Sequence, residues 1–363
     1  MPMGRLIIMS SVSLPNPNLA PTMRTLHCST VRSIRSQATT SRVGAMAAPP
    51  RISVIISTYN DARYLPLAVA SVLSQHYRDF ELIVVDDGLT DEAPSLLQGF
   101  AGRLRHVRRP HAGVTPTLNH GASLATGQYL WFFGADDVLL PGALDKAVAR
   151  MGADDRAAFC YGRVGYIDSD GAPTAPLRGW PSANATLTAS DLVREFMHQR
   201  FVIPSACLIR KSAFDEVRGF DEALSYGEDT EMFFRMALRW RVLFLAETLA
   251  LRRKHPRAIT ARADMARQEQ AWARILAGGR AAPPGSVDAR WLEAAVHFAM
   301  AYQAYKTGNT ASRRHAVKSL RAGSARFGAS TDALRASWLV FKTCLPSWVR
   351  RNASHSRRGA AAP

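Results

Sequence analysis

Three pairs of neighbouring acids are the chemistry-bearing positions of this 363-residue chain: Asp86-Asp87, Asp136-Asp137 and Glu228-Asp229. Singly, each has an ordinary structural reading. Asp86-Asp87-Gly88 could be a polar turn, and Asp229 could be a helix cap stabilised by the macrodipole. Two carboxylates just past a strand repel unless a cation lies between them, and a hard divalent ion bridging a diphosphate would meet that need. Three such clusters at separate element ends point to one site.

Periodicity supplies the elements that would hold them. Ile52 to Ile56 is an apolar run broken only by Ser53 and ends in Ser57-Thr58-Tyr59-Asn60, as expected of a parallel strand covered on both faces. Leu65, Val69, Val72 and Leu73 recur at helical spacing, and Phe80 to Val85 is a second strand-like run, so the unit is βαβ. Ligands in open α/β sheets bind outside the carboxyl ends of the strands. Thr58, Tyr59, Asp86 and Asp87 should therefore converge. Farther on, Leu118 and Leu124 fit a short helix ended near Gly127, and Gln128 to Phe133 is an aromatic strand followed by Asp136-Asp137. Val138 to Pro141 leads into a helix with Leu144, Val148 and Met151 on its apolar face, and Asp229 opens another with Met232, Phe233, Met236 and Ala237.

The blocks VIISTYN, FELIVVDDGLTD, NHGASLATGQYLWFFGADD, GFDEALSYGEDTEMFFRMA and LRRKHPRAIT, spread over about residues 51–260, resemble family 2 glycosyltransferases. Several ordered blocks are far more specific than one short motif. The resemblance implies an α/β GT-A fold, Rossmann-like with a mostly parallel sheet flanked by helices. It also implies inverting transfer from a nucleotide-diphosphate sugar, with Mn²⁺ or Mg²⁺ as cofactor. Carried over by position, Thr58 and Tyr59 line the base pocket with the Tyr59 ring on the base, Asp87 accepts a base N–H, and Asp86 supports the pocket. Asn119 joins the nucleotide-sugar contacts, Asp136 approaches the ribose, Asp137 holds the metal, and His255 closes over metal or diphosphate. Asp229 matches the catalytic base and Glu228 its acidic neighbour. The commonest family form has an acid where this chain has Gly134 and often an arginine where it has Leu118. Phosphate contacts then fall to Arg252, Arg253 or backbone groups.

The net charge of +17 does not imply a nucleic-acid partner, because it is concentrated at the ends. Residues 1–50 hold five Lys/Arg and no acid, and residues 301–363 hold twelve Lys/Arg and one acid. Residues 1–50 read as a disordered extension. Its lack of acids resembles a transit peptide, and a mis-assigned start with Met46 as the true initiator fits equally. Residues 331–363 form a basic amphipathic tail. There Trp338 to Phe341 stand beside Lys342, and Leu345, Pro346, Trp348 and Val349 precede Arg350 and Arg351. That pattern suits peripheral contact with anionic lipid at the inner face of a cell membrane, or packing back on the catalytic domain. Cys28, Cys160, Cys207 and Cys344 have neither metal-type nor disulfide-framework spacing, which suits the cytoplasm. No apolar stretch reaches the roughly 20 residues of a membrane span.

Residues 160–226 are expected to shape an acceptor pocket: a strand over YGRVGYID, a helix from Ala189 to Met197, and a strand from Phe201 to Arg210. Trp180, His198 and Arg200 are candidate acceptor contacts. Residues 261–330 read as a helical accessory region. In it Trp291, Ala295, Phe298 and Tyr302 form one stripe, Gly308-Asn309 a turn, and Ala316, Val317 and Leu320 a second stripe, an αα-hairpin serving as lid, brace or partner surface. The acceptor is expected to be a glycan or lipid-linked glycan, in cell-surface polysaccharide or glycolipid synthesis. Two rivals stay open: a catalytically inactive GT-A module that binds a nucleotide sugar or a partner, and a nucleotidyltransferase, for which STYNDARYL lacks the glycine-rich basic loop.

Overall fold

The structure, a computed structural model, describes residues 51–175, 181–258, 265–306 and 311–327. The extension 1–50, Trp180, the turn at Gly308-Asn309 and the tail 331–363 lie outside the described residues.

The chain opens with three strands in βα order: β1 (Ile52–Thr58), α1 (Leu65–Leu73), β2 (Phe80–Asp86), α2 (Ala93–Gln98) and β3 (Arg105–Arg108). Helix α3 (Val114–Leu124) returns the chain to β4 (Tyr129–Gly134), which is followed by the short β5 (Val138–Leu139) and α4 (Ala143–Met151). Strands β3, β2, β1 and β4 lie side by side in parallel. The apolar runs follow from that position. Val54 and Ile56 of β1, with Trp131 and Phe133 of β4, enter one hydrophobic layer; Ile55, Leu130 and Phe132 enter the opposite one. Both sheet faces are covered, so every position is apolar rather than every second one.

The second half of the sheet is mixed. It comprises β6 (Ala157–Ile167), β7 (Pro173–Ala175), β8 (Ala185–Leu187), β9 (Cys207–Arg210) and the long β10 (Arg241–Arg253). Strand β9 is inserted antiparallel between β4 and β6, and β10 runs parallel to β6. Helix α5 (Ala189–Met197) has the expected bounds and starts with a capping box between Thr188 and Asp191, which satisfies two otherwise unpaired helix donors. The expected strand from Phe201 to Arg210 is shorter. Pro204–Ala206 forms a 3₁₀ turn, where proline's fixed φ and missing N–H suit a turn rather than a ladder. Helices α6 (Lys211–Glu216) and α7 (Glu228–Ala237) complete this half.

Among the described residues three helices follow, where one hairpin was expected: α8 (Met265–Ala281), α9 (Ala289–Lys306) and α10 (Ala311–Phe327). Helix α8 packs on α7, and α9 packs on α5, α8 and α10. Consequently α9 is buried well beyond the stripe of Ala295 and Phe298, taking in Leu292, Ala294, Val296, Ala299, Met300 and Ala301. A helix enclosed on several sides has no polar face to reveal its orientation. Trp272, Ile275 and Leu292 share one hydrophobic core with Phe233 and Phe234 of α7, so these helices brace the sheet domain.

Candidate active site

The carboxyl ends of β1 and β4, the start of α3, the start of α7 and the end of β10 enclose a cleft of about 810 Å³. Thr58, Tyr59, Asp87, Asp136, Asp137, Glu228, Asp229 and His255 all line it.

At the β1–β2 edge, the chain after Thr58 is turned by Asn60, which adopts φ 57°. Its side-chain oxygen accepts from the Thr90 N–H at 2.9 Å, tying the two strand-end loops together. The Thr58 hydroxyl is buried without a hydrogen-bond partner among the described residues. The Tyr59 ring is 45% exposed, as a stacking platform must be, and one face stacks on His111 with centroids 4.1 Å apart. Asp87 accepts N–H bonds from Ala112 and Gly113, both at 2.9 Å, and pairs with His111 Nδ1 at 2.8 Å. It thereby fixes the entry to α3.

Two expected donor contacts are instead parts of the frame. Asp86 is fully buried and is not among the cleft-lining residues. One of its oxygens accepts from the Leu89 N–H at 2.6 Å and the other faces His106 at 3.3 Å and Arg108 at 3.9 Å. Asn119 clamps α3 to the loop before α7: its amide donates to the Phe220 carbonyl at 3.0 Å and to Glu222 at 2.9 Å, while its oxygen accepts from the Phe220 N–H at 3.0 Å. Those bonds use the side chain's polar groups on partners a hundred residues away.

Asp136 and Asp137 have different surroundings. Asp137 is buried; one oxygen accepts from the Ser205 hydroxyl and the other from the Arg253 N–H at 3.0 Å. Burial first, and then Asp136, push its carboxyl up to about 6. Asp136 is the member that meets His255, Oδ2 to Nε2 at 2.9 Å, with 26% of its side chain exposed. The His255 ring is itself buried against Tyr64 at 5.0 Å. Gly134 explains its own departure from the commonest form. A Cβ there would sit 2.9 Å from Asp137 Oδ2 and 3.0 Å from Asp136 Oδ1, so the two carboxylates occupy the room an acid side chain would need.

Glu228 and Asp229 stand in the first turn of α7. Burial, and then Asp229, raise the Glu228 carboxyl to about 8. Burial also raises Asp229, while the Thr230 N–H at 2.6 Å, Arg252 and the Thr230 hydroxyl favour its ionised form. Arg252 lines the cleft from the end of β10. Its neighbour Arg253 is committed elsewhere, donating to the carbonyls of Asp136 and Asp168, both at 3.0 Å, and lying over Tyr64 at 4.7 Å.

Residues 53–218 match the family model of Glycosyl transferase family 2. That stretch is therefore similar to family 2 glycosyl transferases. Over 218 residues the chain is 26% identical to Glycosyltransferase GlyG of Streptococcus pneumoniae, covering 57% of this chain and 72% of that protein. With the Chondroitin synthase of Pasteurella multocida it shares 28% over 192 residues, 52% of this chain and 19% of that protein. The chain also spans only 31% of an uncharacterized glycosyltransferase of Rickettsia felis. The fold is that of S. aureus TarS, a GT-A protein: a structure of its residues 1–349 with UDP superposes with a TM-score of 0.58 at 16% identity, covering 86% of this chain and 93% of that one. These matches give the chain a GT-A fold and support a transferase enzyme.

The cleft also contains residues that sequence reasoning missed. Asp61 lines it, and burial followed by Asp136 raises its carboxyl; its place beside Asn60 was the available signal. His111 roofs the Tyr59 ring, and Ser205 joins the Gly134 N–H, which it accepts at 3.1 Å, to Asp137. Neither carries a local sequence signal. Arg200, expected near an acceptor, is paired with Glu195.

Proposed function

We propose that this protein transfers a sugar from a nucleotide-diphosphate sugar to an acceptor hydroxyl with inversion at the anomeric carbon. The observation that carries this reading is the gathering of Asp87, Asp136 and Asp229 around one cleft. The donor base packs on the exposed face of Tyr59, beside Asp87 and the unpartnered Thr58 hydroxyl. Asp229 takes the acceptor's proton as that oxygen bonds to C1 and the C1–O bond to the diphosphate breaks on the opposite face. Burial and Asp229 raise Glu228 to about 8, which favours its protonated form, while Thr230 and Arg252 favour the ionised form of Asp229. Arg252 lends positive charge to the departing diphosphate.

The donor set fits a hard divalent ion. An acid and an imidazole, Asp136 and His255, meet at the cleft, and no cluster of three His, Cys, Asp or Glu able to hold a metal exists among the described residues. That leaves positions for phosphate oxygens and water, as Mg²⁺ sites commonly require. Asp136 and His255 would hold the ion, which when bound supplies Lewis-acid charge neutralisation on the diphosphate.

The likeness to a chondroitin synthase supports a glycan or lipid-linked acceptor. No helix among the described residues is long and apolar enough to cross a membrane, and contact with the inner membrane face through residues 331–363 completes the proposal. Salt-sensitive pelleting with anionic vesicles, lost on removing that tail, tests this part.

The decisive experiment is a panel of nucleotide sugars, beginning with UDP-GlcNAc, scored for thermal stabilisation with and without Mn²⁺ and then for nucleotide release. Stabilisation and turnover by one donor is the expected result. Gly134 favours the second reading, an inactive binding module, and stabilisation without turnover across the panel would establish that reading instead.

A further inference from the structure

Three helices of the brace meet at a polar chain outside the cleft, with two buried histidines and a partly exposed acid. Glu269 of α8 accepts from His315 Nε2 of α10 at 3.3 Å, and His315 Nδ1 faces His297 Nδ1 of α9 at 3.2 Å. His315 and His297 are only 3% and 8% exposed. A carboxylate only accepts, so in the tautomer that pairs with Glu269 the His315 proton sits on Nε2, its Nδ1 is a bare acceptor, and His297 donates from Nδ1. Arg314 also reaches His315 Nε2 at 3.5 Å, and in the tautomer where it donates there, His315 donates from Nδ1 to His297 instead; either arrangement uses one proton between the two rings.

In the Glu269-paired arrangement a further proton has no good place. On His315 Nδ1 it sets two N–H groups face to face. On His297 Nε2 it puts a buried charge near Arg314 and Lys318 of α10, with Glu293 of α9 at 4.0 Å as its acid. Arg314 also stands 3.6 Å from Glu269. Helix α5 packs on α9 too, but its Arg194 and Glu195 are paired with Asp191 and Arg200. Burial, followed by His315, Lys318 and Arg314, brings His297 down to about 4, and His315 is lowered as well, first by burial.

The helix that carries Glu269 also seats the Asp229 helix. Two residues beyond Glu269, Ala271 lies against Gly227, the residue that starts α7 with φ +75°; a Cβ on Gly227 would come within 2.8 Å of the Ala271 Cβ. Trp272 fixes the same turn edge-on against Phe196 at 5.4 Å. Arg274 of α8 pairs with Asp221 at 3.3 Å, and Arg267 of α8 lines the cleft.

We propose that the Glu269–His315–His297 chain is a proton-sensitive positioning cluster for α7: its neutral form seats α8 on Gly227, and a further proton unseats α8 and shifts Asp229 from its catalytic place. The kinetic consequence rests on Asp229 as the base; the structural one does not. A histidine lowered on folding contributes stability that is complete above its unfolded value of about 6.5 and is lost as pH falls toward its folded value. The window is therefore roughly pH 6.5 to 4.

Amide hydrogen exchange on the full chain, corrected for intrinsic rates, tests this between pH 7.5 and 4.5. Residues 227–232 and α8 are expected to exchange at least tenfold faster at the acid end. His297→Asn keeps a donor near Nδ1 without a titrating ring and should remove most of that rise. Glu269→Gln keeps the acceptor but not the charge that favours a protonated His315, and should move the rise to lower pH. In steady-state assays the acid limb of kcat should follow the same shifts while donor KM does not. Equal exchange at both pH values, an undiminished rise in His297→Asn, or a rise that spares residues 227–232 would overturn the proposal. An Asp229→Asn enzyme that still transfers sugar would instead remove the base assignment and leave the exchange result standing.

Discussion

The acidic doublets at strand ends and the one at the start of α7 manage their charge differently. Past β2 and β4 the two aspartates of a doublet are set differently. Asp86 is withdrawn from the cleft behind Leu89, His106 and Arg108, and Asp137 is buried in its wall on Ser205 and the Arg253 N–H. Asp87, by contrast, lines the cleft on the N–H groups of Ala112 and Gly113, and Asp136 meets His255 there. In α7 the doublet is not divided. Both acids lie in a first turn, where free N–H groups and the dipole favour negative charge, and both line the cleft. In the strand-end doublets only one member of each meets a histidine at the cleft; in α7 burial raises both neighbouring acids together.

Substitutions can break this contrast. The largest effect belongs to the undivided pair: Asp229→Asn should lower transfer by roughly 10²–10⁴-fold with donor binding, read by calorimetry, nearly unchanged. In the divided pair, Asp136→Asn should cost roughly 10²–10³-fold in transfer and most of the Mn²⁺-dependent stabilisation, with the apo melting temperature kept. Asp137→Asn should do the opposite in kind. It weakens buried charged hydrogen bonds to Ser205 and Arg253, each worth about 1.5–3 kcal/mol, and so should chiefly lower the melting temperature. If Asp137→Asn abolishes metal binding while Asp136→Asn does not, the assignment of the two roles is wrong.

How these roles were reached shows what a sequence can carry. Local periodicity located β1, β2, β4 and all three doublets, because each depends on residues within about ten positions. The division within each doublet was not legible. It is decided by Ser205 and Arg253 for Asp137, and by His106 and Arg108 for Asp86, partners brought in by the fold. Asn119 was misjudged for the same reason, since Phe220 and Glu222 are distant in sequence. His255 came from the resemblance alone, and the structure places it on Asp136.

Two smaller effects sharpen the comparison. Glu228 is raised on folding from an ordinary 4.5 to about 8, so the stability it confers is full below 4.5 and is lost as pH rises toward 8. Glu228→Gln removes that dependence, and its melting temperature should overtake the parent's progressively between pH 5 and 8.5. A constant difference across that range would mean that Glu228 is not raised on folding. The smallest effect is expected for Asn119→Ala, which strands the Phe220 N–H and costs about 1–3 kcal/mol in urea unfolding without changing donor KM.

Strand β10 carries two arginines with opposite duties at its end, Arg252 toward the cleft and Arg253 into the frame, after irregular pairing with β6 between Leu245 and Ala250. Those irregularities determine which of the two points which way. Deleting a single residue between them and Arg252 would bring Arg253 to the cleft position and Lys254 to the frame position, so the guanidinium that holds the Asp136 and Asp168 carbonyls would be replaced by an ammonium. Evolution or engineering can therefore lengthen the loops on either side of this strand far more freely than it can alter the strand's own residue count.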